Sequence, residues 1–171
     1  MFDNIIYISY TNTNIIDIIG ISGPLILFFI STMNLWKQKY IYGYLLFYII
    51  NTFINNLLKI TIKEPRPITN NTITNNTVIK EKYPGVHKYG MPSYHAQSVV
   101  FSLVFLYLVN KSIFLLLIEI FIVFITLYQR WVYRHHTIEQ LAVGTFIGGV
   151  TAYIGYFMTK QYFVTNRSIS I

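Results

Sequence analysis

The chain has 171 residues, of which 54% are hydrophobic and only 11% are charged. Such a composition has too little polar surface for a soluble domain and excludes that class. The absence of cysteine excludes disulfides and cysteine-based chemistry. The chain also lacks the H-E-x-x-H pattern that would indicate a metal site. The net charge of +7 fits either loops beside anionic lipids or a site for an anionic substrate. Nucleic acid is not an expected partner, because the basic residues are scattered.

Apolar runs predict an all-α integral membrane protein, a bundle of five transmembrane helices in a single domain, 1–171. Residues 1–13 are predicted to form a short interfacial N-terminus, with a sixth helix as the alternative. A long loop, 61–91, joins the second and third helices and is expected to be irregular and functional in part. The five helices are predicted at residues 14–33, 41–60, 94–109, 112–129 and 137–158.

Three polar segments lie at the ends of the predicted helices. Polar and charged groups at such positions are costly in a membrane and mark candidate functional sites. The first segment ends the second helix, the second begins the third helix, and the third joins helices four and five. Because two crossings separate the second segment from the third, all three are predicted to lie on one side of the membrane. The segments are 59–67, 92–95 and 130–140.

The first segment offers two cations to an anion. Lys59 and Arg66 are seven residues apart, so on a helix they share nearly one face. Pro65 and Pro67 are predicted to end the helix there, with Arg66 leaning toward a phosphate. Arginine presents a planar fork to phosphate oxygens, and lysine a mobile point charge. The alternative is a pair of cations that extend from a helix end to water.

The second segment combines a helix start with a hydroxyl group and an imidazole. Pro92 is predicted to open the helix, whose free N–H groups attract anions. Ser93 can donate its hydroxyl to phosphate, and His95 can protonate a leaving oxygen. The alternative is that Ser93 only caps the helix and His95 lies in the interface.

The third segment pairs a cation with an orientable histidine. Arg130 can hold phosphate, and His136 has Gln140 one helical turn later on the same face. A histidine oriented by a neighbouring acceptor keeps its other nitrogen free for attack. His135 is the alternative carrier of this role.

Two features of the helices themselves are informative. Glu119 lies within an apolar run, where an acid is either functional or a protonated or hydrogen-bonded structural group. The structural interpretation is favoured, because no motif includes Glu119. Small residues on the last helix predict close helix packing; they are Gly144, Gly148, Gly149, Ala152 and Gly155.

Together, Lys59-x6-Arg66-Pro67, Pro92-Ser93-x-His95 and Arg130-x5-His136-x3-Gln140 resemble the three signatures of the type 2 phosphatidic acid phosphatase (PAP2) superfamily. The resemblance covers residues 59–140 and implies a PAP2-like core. The chain departs from the pattern at Tyr94, usually glycine, and at Gln140, usually aspartate. Finer features resemble the dolichyl-diphosphatase branch, which also has glutamine there; they are Lys63-Glu64-Pro65-Arg66-Pro67, Tyr89-Gly90-Met91-Pro92-Ser93 with His95 and Gln97, and His136-Thr137 followed by Gln140.

The resemblance implies a metal-independent, cofactor-free lipid phosphatase that converts a polyprenyl (dolichyl-type) diphosphate to the monophosphate through a phosphohistidine. His136 would attack phosphorus, His95 would protonate the leaving group, and Gln140 would orient His136. A neutral amide stabilises an imidazolium less than a carboxylate does, which makes Glu139 a candidate to assist. The residues expected to bind the substrate phosphate are Lys59, Arg66, Ser93, Tyr94 and Arg130.

Several alternatives stay open at the level of sequence. The closest is a phosphatidic acid or other glycerolipid phosphatase. A further alternative is a non-catalytic protein that binds lipid phosphates. The superfamily also includes vanadate-dependent haloperoxidases, but this alternative is disfavoured because those enzymes are larger and soluble. The expected partners are the bilayer and a lipid phosphate or diphosphate; the oligomeric state is not predicted.

The membrane orientation follows from the face opposite the three segments. That face has basic residues with no acids near them, at Lys37, Lys39, Lys111, Lys160 and Arg167. Because cytosolic loops carry an excess of lysine and arginine, the site is predicted to face the lumen or the exterior. The expected location is an endoplasmic-reticulum-type membrane.

Overall fold

A computed structural model describes residues 14–67 and 85–165. They contain five α-helices: Ile15–Leu35 (α1), Tyr40–Ile62 (α2), Tyr94–Asn110 (α3), Ile113–Val132 (α4) and Ile138–Thr159 (α5). A short 3₁₀ helix, Gly85–Lys88, precedes α3, and π-helical turns at Lys160–Thr165 extend α5. The all-α class and the five helices are therefore confirmed. The predictions for the N-terminal segment and for the Asn- and Thr-rich part of the long loop lie outside the described residues.

The outer surface of the bundle is apolar. Helices α1, α2, α4 and α5 are each long and apolar enough to cross a membrane. Large hydrophobic side chains point away from the bundle on all four, which is a surface that lipid stabilises and water does not. Examples are Phe29, Phe53, Phe121 and Phe146.

Helix α3 lies at the centre of the bundle and packs against each of the other four helices. Every residue from 96 to 102 is buried, which is the pattern of a helix enclosed on all sides. With 17 residues, α3 is shorter than the outer helices. Its neighbours shield it from lipid. Its first turn consequently lies at the end of the bundle where α2 and α4 end.

A buried amide network joins α3 to α2. The Gln97 amide donates to the backbone oxygen of Asn51 (2.7 Å) and to its side-chain oxygen (2.9 Å). Asn55 donates to the Gln97 side-chain oxygen (2.8 Å) and to the Pro92 carbonyl (3.3 Å). Buried polar groups joined in this way favour a single arrangement, although Asn51 Nδ2 and Asn55 Oδ1 have no partner within the described residues. This network therefore fixes the start of α3 against α2.

The small residues of α5 allow a close approach to α3, which confirms the predicted packing. A Cβ atom on Gly144 would lie 2.6 Å from the carbonyl oxygen of Ser93, and one on Gly148 would collide with the carbonyl oxygen of Gln97. The backbones of the two helices thus touch where a side chain would separate them. This contact places the beginning of α5 beside the beginning of α3.

Glu119 of α4 is buried, with 1% of its surface exposed. Neither of its carboxylate oxygens has a hydrogen-bond partner within the described part of the chain. A hydrogen-bonded structural role is therefore not what the structure shows for this residue. The protonated role stays a prediction.

The end of α2 differs from the prediction. The helix ends at Ile62, and Lys63 adopts a left-handed conformation (φ 56°) with its N–H donating to the Lys59 carbonyl (3.1 Å). Pro65 disfavours the helical conformation of the residue before it, so the chain must leave the helix before Glu64. Arg66 consequently lies in an extended segment, in which Pro65 forms an isolated antiparallel β-bridge with Tyr89.

The start of α3 agrees with the predicted span, 94–109, but the role predicted for Pro92 does not hold. Pro92 was expected to open this helix, whereas the first helical residue is Tyr94 and Ser93 is its N-cap. The Ser93 hydroxyl oxygen accepts from the backbone N–H of Ala96 (3.5 Å). Serine is among the residues that best cap a helix N-terminus, and this preference sets the boundary instead of the proline.

Candidate active site

The three polar segments meet at one end of the bundle, which confirms the predicted topology. Arg66 Nη1 donates to the carbonyl oxygen of His135 (3.0 Å). The backbone N–H of Ser93 donates to the carbonyl oxygen of Gln140 (3.1 Å). Helices α2 and α4 end here, and α3 and α5 begin here. The candidate site is therefore built from four helix ends that are distant in sequence.

His136 lies in the tight turn between α4 and α5 and is almost fully buried. The turn is closed by Arg134, which has a left-handed conformation (φ 52°). The backbone N–H groups of His135 and His136 both donate to the carbonyl oxygen of Arg130 (3.0 and 3.3 Å). The last turn of α4 thus holds the backbone of both histidines in place.

Gln140 is locked in one orientation at the start of α5. Its backbone N–H donates to the Thr137 hydroxyl (3.2 Å), and its Oε1 accepts from the Thr137 N–H (3.4 Å), which completes a capping box. At the other end of the amide, Nε2 donates to Glu64 Oε1 (2.7 Å) and to the Pro65 carbonyl (2.9 Å). Because a carboxylate and a carbonyl only accept, the NH₂ group must face them.

The orientation of Gln140 fixes the tautomer of His136. Gln140 Oε1 lies 3.1 Å from His136 Nδ1 and only accepts, so Nδ1 carries the proton. On the other side, Arg66 Nη1 lies 3.0 Å from His136 Nε2. A guanidinium only donates, so Nε2 presents its lone pair. His136 is therefore a neutral imidazole with a defined lone pair beside a guanidinium.

The electrostatic surroundings of His136 favour the same neutral form. Burial, followed by the positive charges of Arg66 and Lys59, lowers the pKa of His136 to about 2, and the hydrogen bond to Gln140 opposes that shift. At neutral pH the imidazole is consequently uncharged. The same positive charges are suited to an anionic ligand.

Lys59 is the most deeply buried cation of the site, with 1% of its surface exposed. Its Nζ donates to the carbonyl oxygen of Tyr89 (2.9 Å), and the charge of Arg66 acts on it. Within residues 14–67 and 85–165, no carboxylate forms an ion pair with Lys59. Burying a cation beside another cation is unfavourable unless an anion compensates. The arrangement therefore fits a site that receives a phosphate group.

His95 occupies the first turn of α3 and contacts α1. Its Nε2 lies 3.2 Å from the carbonyl oxygen of Ile21. A carbonyl only accepts, so Nε2 carries a proton and Nδ1 is left for proton exchange. The charges of Arg130 and Arg66 act on this imidazole. The ring of Tyr94 stands edge-on to the ring of His95, with centroids 6.1 Å apart.

Ser93 and Arg130 complete the predicted set. Ser93 is fully buried, and its use as the N-cap engages a lone pair of Oγ rather than the hydroxyl proton. Arg130 lies in the last turn of α4 with 8% of its surface exposed. Both residues border the histidines, but the structure assigns neither a role toward substrate.

The acid that contacts Gln140 is not the one that the sequence suggested. Glu139 was the candidate to assist Gln140, yet it is exposed in the first turn of α5. The carboxylate that contacts Gln140 belongs to Glu64, 76 residues away in sequence. Gly90 is a second residue that was missed, since a Cβ atom there would collide with the Gln140 amide. The only signal for either was the Lys63–Pro67 and Tyr89–Ser93 detail of the branch resemblance.

No three His, Cys, Asp or Glu side chains lie together as metal ligands would, among the residues that the structure describes. The predicted independence from metal stays a prediction.

Fold and site together define a class: an all-α membrane protein with a buried cluster of cations beside a neutral histidine. Residues 40–163 match the model of the PAP2 superfamily, and the protein belongs to that superfamily. No curated protein and no solved structure matches the chain. Members of the superfamily are phosphatases, so membership indicates a membrane lipid phosphatase. Helix α1 precedes the matched span.

Proposed function

We propose that the protein hydrolyses a polyprenyl, dolichyl-type diphosphate to the monophosphate, with Nε2 of His136 as the nucleophile. The observation that carries this proposal is the neutral His136, whose Nε2 lone pair lies 3.0 Å from the Arg66 guanidinium. A phosphate that binds Arg66 would stand next to this lone pair. This arrangement supports Nε2 as the nucleophile and Arg66 as the residue that binds the phosphate beside it.

The first step transfers the terminal phosphoryl group to the enzyme. The phosphate oxygens compete for the Arg66 guanidinium and release Nε2, which attacks the terminal phosphorus. The bond between that phosphorus and the bridging oxygen breaks, and the lipid monophosphate leaves. Lys59, Arg66 and Arg130 stabilise the charge on the phosphoryl oxygens, with Ser93 and Tyr94 bordering the pocket. His95 takes up a proton at Nδ1 when the anionic substrate binds and donates it to the leaving oxygen.

The second step regenerates the enzyme. Water attacks the phosphorus of the phosphohistidine, His95 accepts a proton from that water, and the P–N bond breaks to release inorganic phosphate. His136 returns to its neutral form, with Nδ1–H still donating to Gln140. One imidazole therefore carries the phosphoryl group while the other moves the proton, as in two-step covalent catalysis.

The choice of a diphosphate substrate rests on the branch features around the site. Gln140 replaces the usual aspartate, and the structure surrounds it with Glu64, Pro65 and Gly90, which belong to the same branch-like segments. A diphosphate also provides a lipid monophosphate as leaving group, which needs less help from an acid than an alkoxide does. These observations favour the diphosphate over phosphatidate.

The test is phosphate release by the purified protein from a polyprenyl diphosphate and from phosphatidate, with His136→Ala and His135→Ala as matched neighbours. We expect the diphosphate to be hydrolysed preferentially and His136→Ala to lose activity by at least about 10⁴-fold, the scale of loss for a covalent nucleophile. Acid-labile, base-stable phosphoenzyme should be trapped in the unmodified protein and not in His136→Ala.

Each other outcome selects a different reading. Preference for phosphatidate would make the protein a glycerolipid phosphatase. Loss of the phosphoenzyme in His135→Ala alone would move the nucleophile by one residue. Tight binding of lipid phosphate with no turnover would indicate a non-catalytic binder.

A further inference from the structure

A continuous chain of hydrogen bonds connects a carboxylate to the candidate nucleophile. Glu64 Oε1 accepts from Gln140 Nε2 (2.7 Å), and Gln140 Oε1 lies 3.1 Å from His136 Nδ1. The amide between them is fully buried. A negative charge thus reaches His136 through one intervening amide, in a chain where the residue that touches the imidazole is itself neutral.

The position of Glu64 is set by its own backbone. Its carbonyl oxygen accepts from the N–H of Gly90 (2.7 Å), and the next residue, Pro65, bridges Tyr89. Pro65 also presents its carbonyl to Gln140 (2.9 Å). The segment after α2 is therefore held by residues 89 and 90 on one side and by Gln140 on the other. These contacts keep the Glu64 carboxylate beside the Gln140 amide.

We infer that Glu64 is a positioning residue that acts on His136 through Gln140, an inference that rests on the proposed function. Glu64 does two things in this arrangement. It holds the Gln140 amide so that its oxygen faces Nδ1, which keeps the lone pair on Nε2. It also supplies the negative charge that Gln140 lacks, which stabilises positive charge on the imidazole as the P–N bond forms.

The physical reason is the chemistry of the amide. An isolated glutamine beside a histidine can turn either end toward it, and the wrong end would donate to Nδ1 and place the proton on Nε2. Nε2 would then have no lone pair for attack. The Glu64 carboxylate and the Pro65 carbonyl at the far end of the amide together remove this ambiguity, because both accept only from the NH₂ group. The hydrogen bond also polarises the amide and makes its oxygen a better acceptor.

The test uses Glu64→Gln and Glu64→Ala, with Glu139→Gln as the matched control. Glu139→Gln removes the same charge from an exposed position near the site. Glu64→Gln keeps an acceptor for Gln140 but removes the charge, so we expect kcat to fall about 10-fold with KM little changed; the scale is that found for groups that orient metal-bound histidines through a hydrogen bond. Glu64→Ala also removes the acceptor and leaves the amide held by the Pro65 carbonyl and the Thr137 N–H, so kcat should fall further, by about 100-fold. The control should match the unmodified protein.

A second readout does not depend on activity. In protein labelled with ¹⁵N-histidine, the His136 resonances can be assigned by their loss in His136→Ala. We expect an Nδ1–H tautomer in the unmodified protein, an upfield shift of the Nδ1 proton in Glu64→Gln, and a larger upfield shift in Glu64→Ala. Glu139→Gln should leave the spectrum unchanged.

The two readouts separate this inference from the proposed function. Failure of the unmodified protein on every lipid would overturn the proposed function, while the spectra would still decide the role of Glu64. Kinetics and spectra of Glu64→Gln that equal those of Glu139→Gln would overturn the inference. Activity of Glu64→Gln equal to the unmodified protein, with a loss only in Glu64→Ala, would also overturn it, because the charge would then have no effect.

Discussion

At the scale of single residues, the site is defined by which atoms can only donate and which can only accept. Arg66 donates to one nitrogen of His136, and Gln140 accepts from the other. These two contacts determine the protonation of the imidazole without any reference to the reaction. A histidine held neutral in this way has a measurable effect on the stability of the fold.

We predict that His136 makes the protein less stable in mild acid. Its pKa is lowered to about 2 in the folded protein, chiefly by burial, whereas an unfolded histidine titrates near 6.5. Below that value the unfolded chain binds a proton that the folded protein does not bind. The contribution to stability is therefore complete above about pH 6.5 and is lost as the pH falls, by about 2 kcal/mol at pH 5.

The measurement is the free energy of unfolding in detergent at pH 8 and pH 5, for the unmodified protein and for His136→Ala. The variant should lose less stability between the two pH values, by about 2 kcal/mol. Equal losses in the two proteins would show that His136 is protonated in the folded state.

At the scale of the helices, the apolar runs are sufficient to predict the five elements and the end of the bundle where the site lies. The largest difference in a boundary is at the end of α4, predicted at 129 and observed at Val132. Helix crossings are set by length and hydrophobicity, which a sequence displays directly. The predicted pairing of His136 with Gln140 also depends only on local helical spacing.

Contacts between distant segments were not predictable in the same way. Glu64 and Gln140 meet because the chain leaves α2 at Lys63 and pairs with residues 89 and 90. No periodic pattern in the sequence predicts this course of the chain after α2. Glu139, adjacent to Gln140 in sequence, was the natural choice by proximity, but its position on α5 turns it away from the amide. The role predicted for Pro92 as the first helical residue likewise followed a local rule that the Ser93 cap overrode.

We predict that the α3–α5 contact is sensitive to a single methyl group. In Gly148→Ala the new Cβ would collide with the backbone oxygen of Gln97, whereas in Gly149→Ala the nearest atom, Val100 Cγ1, lies 3.9 Å away. Overpacking of this kind costs about 1–3 kcal/mol. Gly148→Ala should therefore lower the unfolding temperature and the activity together, because the helix starts that carry His95 and Gln140 move apart.

Gly149→Ala serves as the control with the same chemical change on the neighbouring position. Thermal unfolding in detergent, followed with phosphate release, measures both effects. A Gly148→Ala protein as stable as the control would mean that the two helices are not in contact as described.

At the scale of the whole molecule, polar groups are enclosed and apolar groups face outward. The interior holds the Gln97 network and the cationic site, while the surfaces of α1, α2, α4 and α5 are lined with large hydrophobic side chains. The apolar surface is suited to lipid, and the connections between the helices determine which helix ends lie together. The ends of α2 and α4 share one side with the starts of α3 and α5.

We predict that cysteines introduced at the two ends of the bundle will label from opposite sides. The chain has no cysteine, so Glu139→Cys and Lys37→Cys each provide a single exposed thiol, one at the site and one in the α1–α2 connection. A membrane-impermeant maleimide added to sealed vesicles should label Glu139→Cys from the luminal or exterior side only. Lys37→Cys should label from the cytosolic side only.

The unmodified protein is the control for background, and detergent should make both positions reactive. The reverse pattern would overturn the orientation that the basic residues predict, while leaving the topology intact. Labelling of both positions from one side would contradict the topology itself.

One contact of α1 affects how proteins of this kind can be compared. The group that holds His95 is the main-chain oxygen of Ile21, in a helix that precedes the matched span of residues 40–163. Every amino acid has a main-chain carbonyl oxygen, so the identity of the residue at position 21 does not reveal the interaction. What selects it is the path of the helix beside α3. Relatives could therefore preserve the same support for this imidazole while sharing no recognisable residue in their first helix.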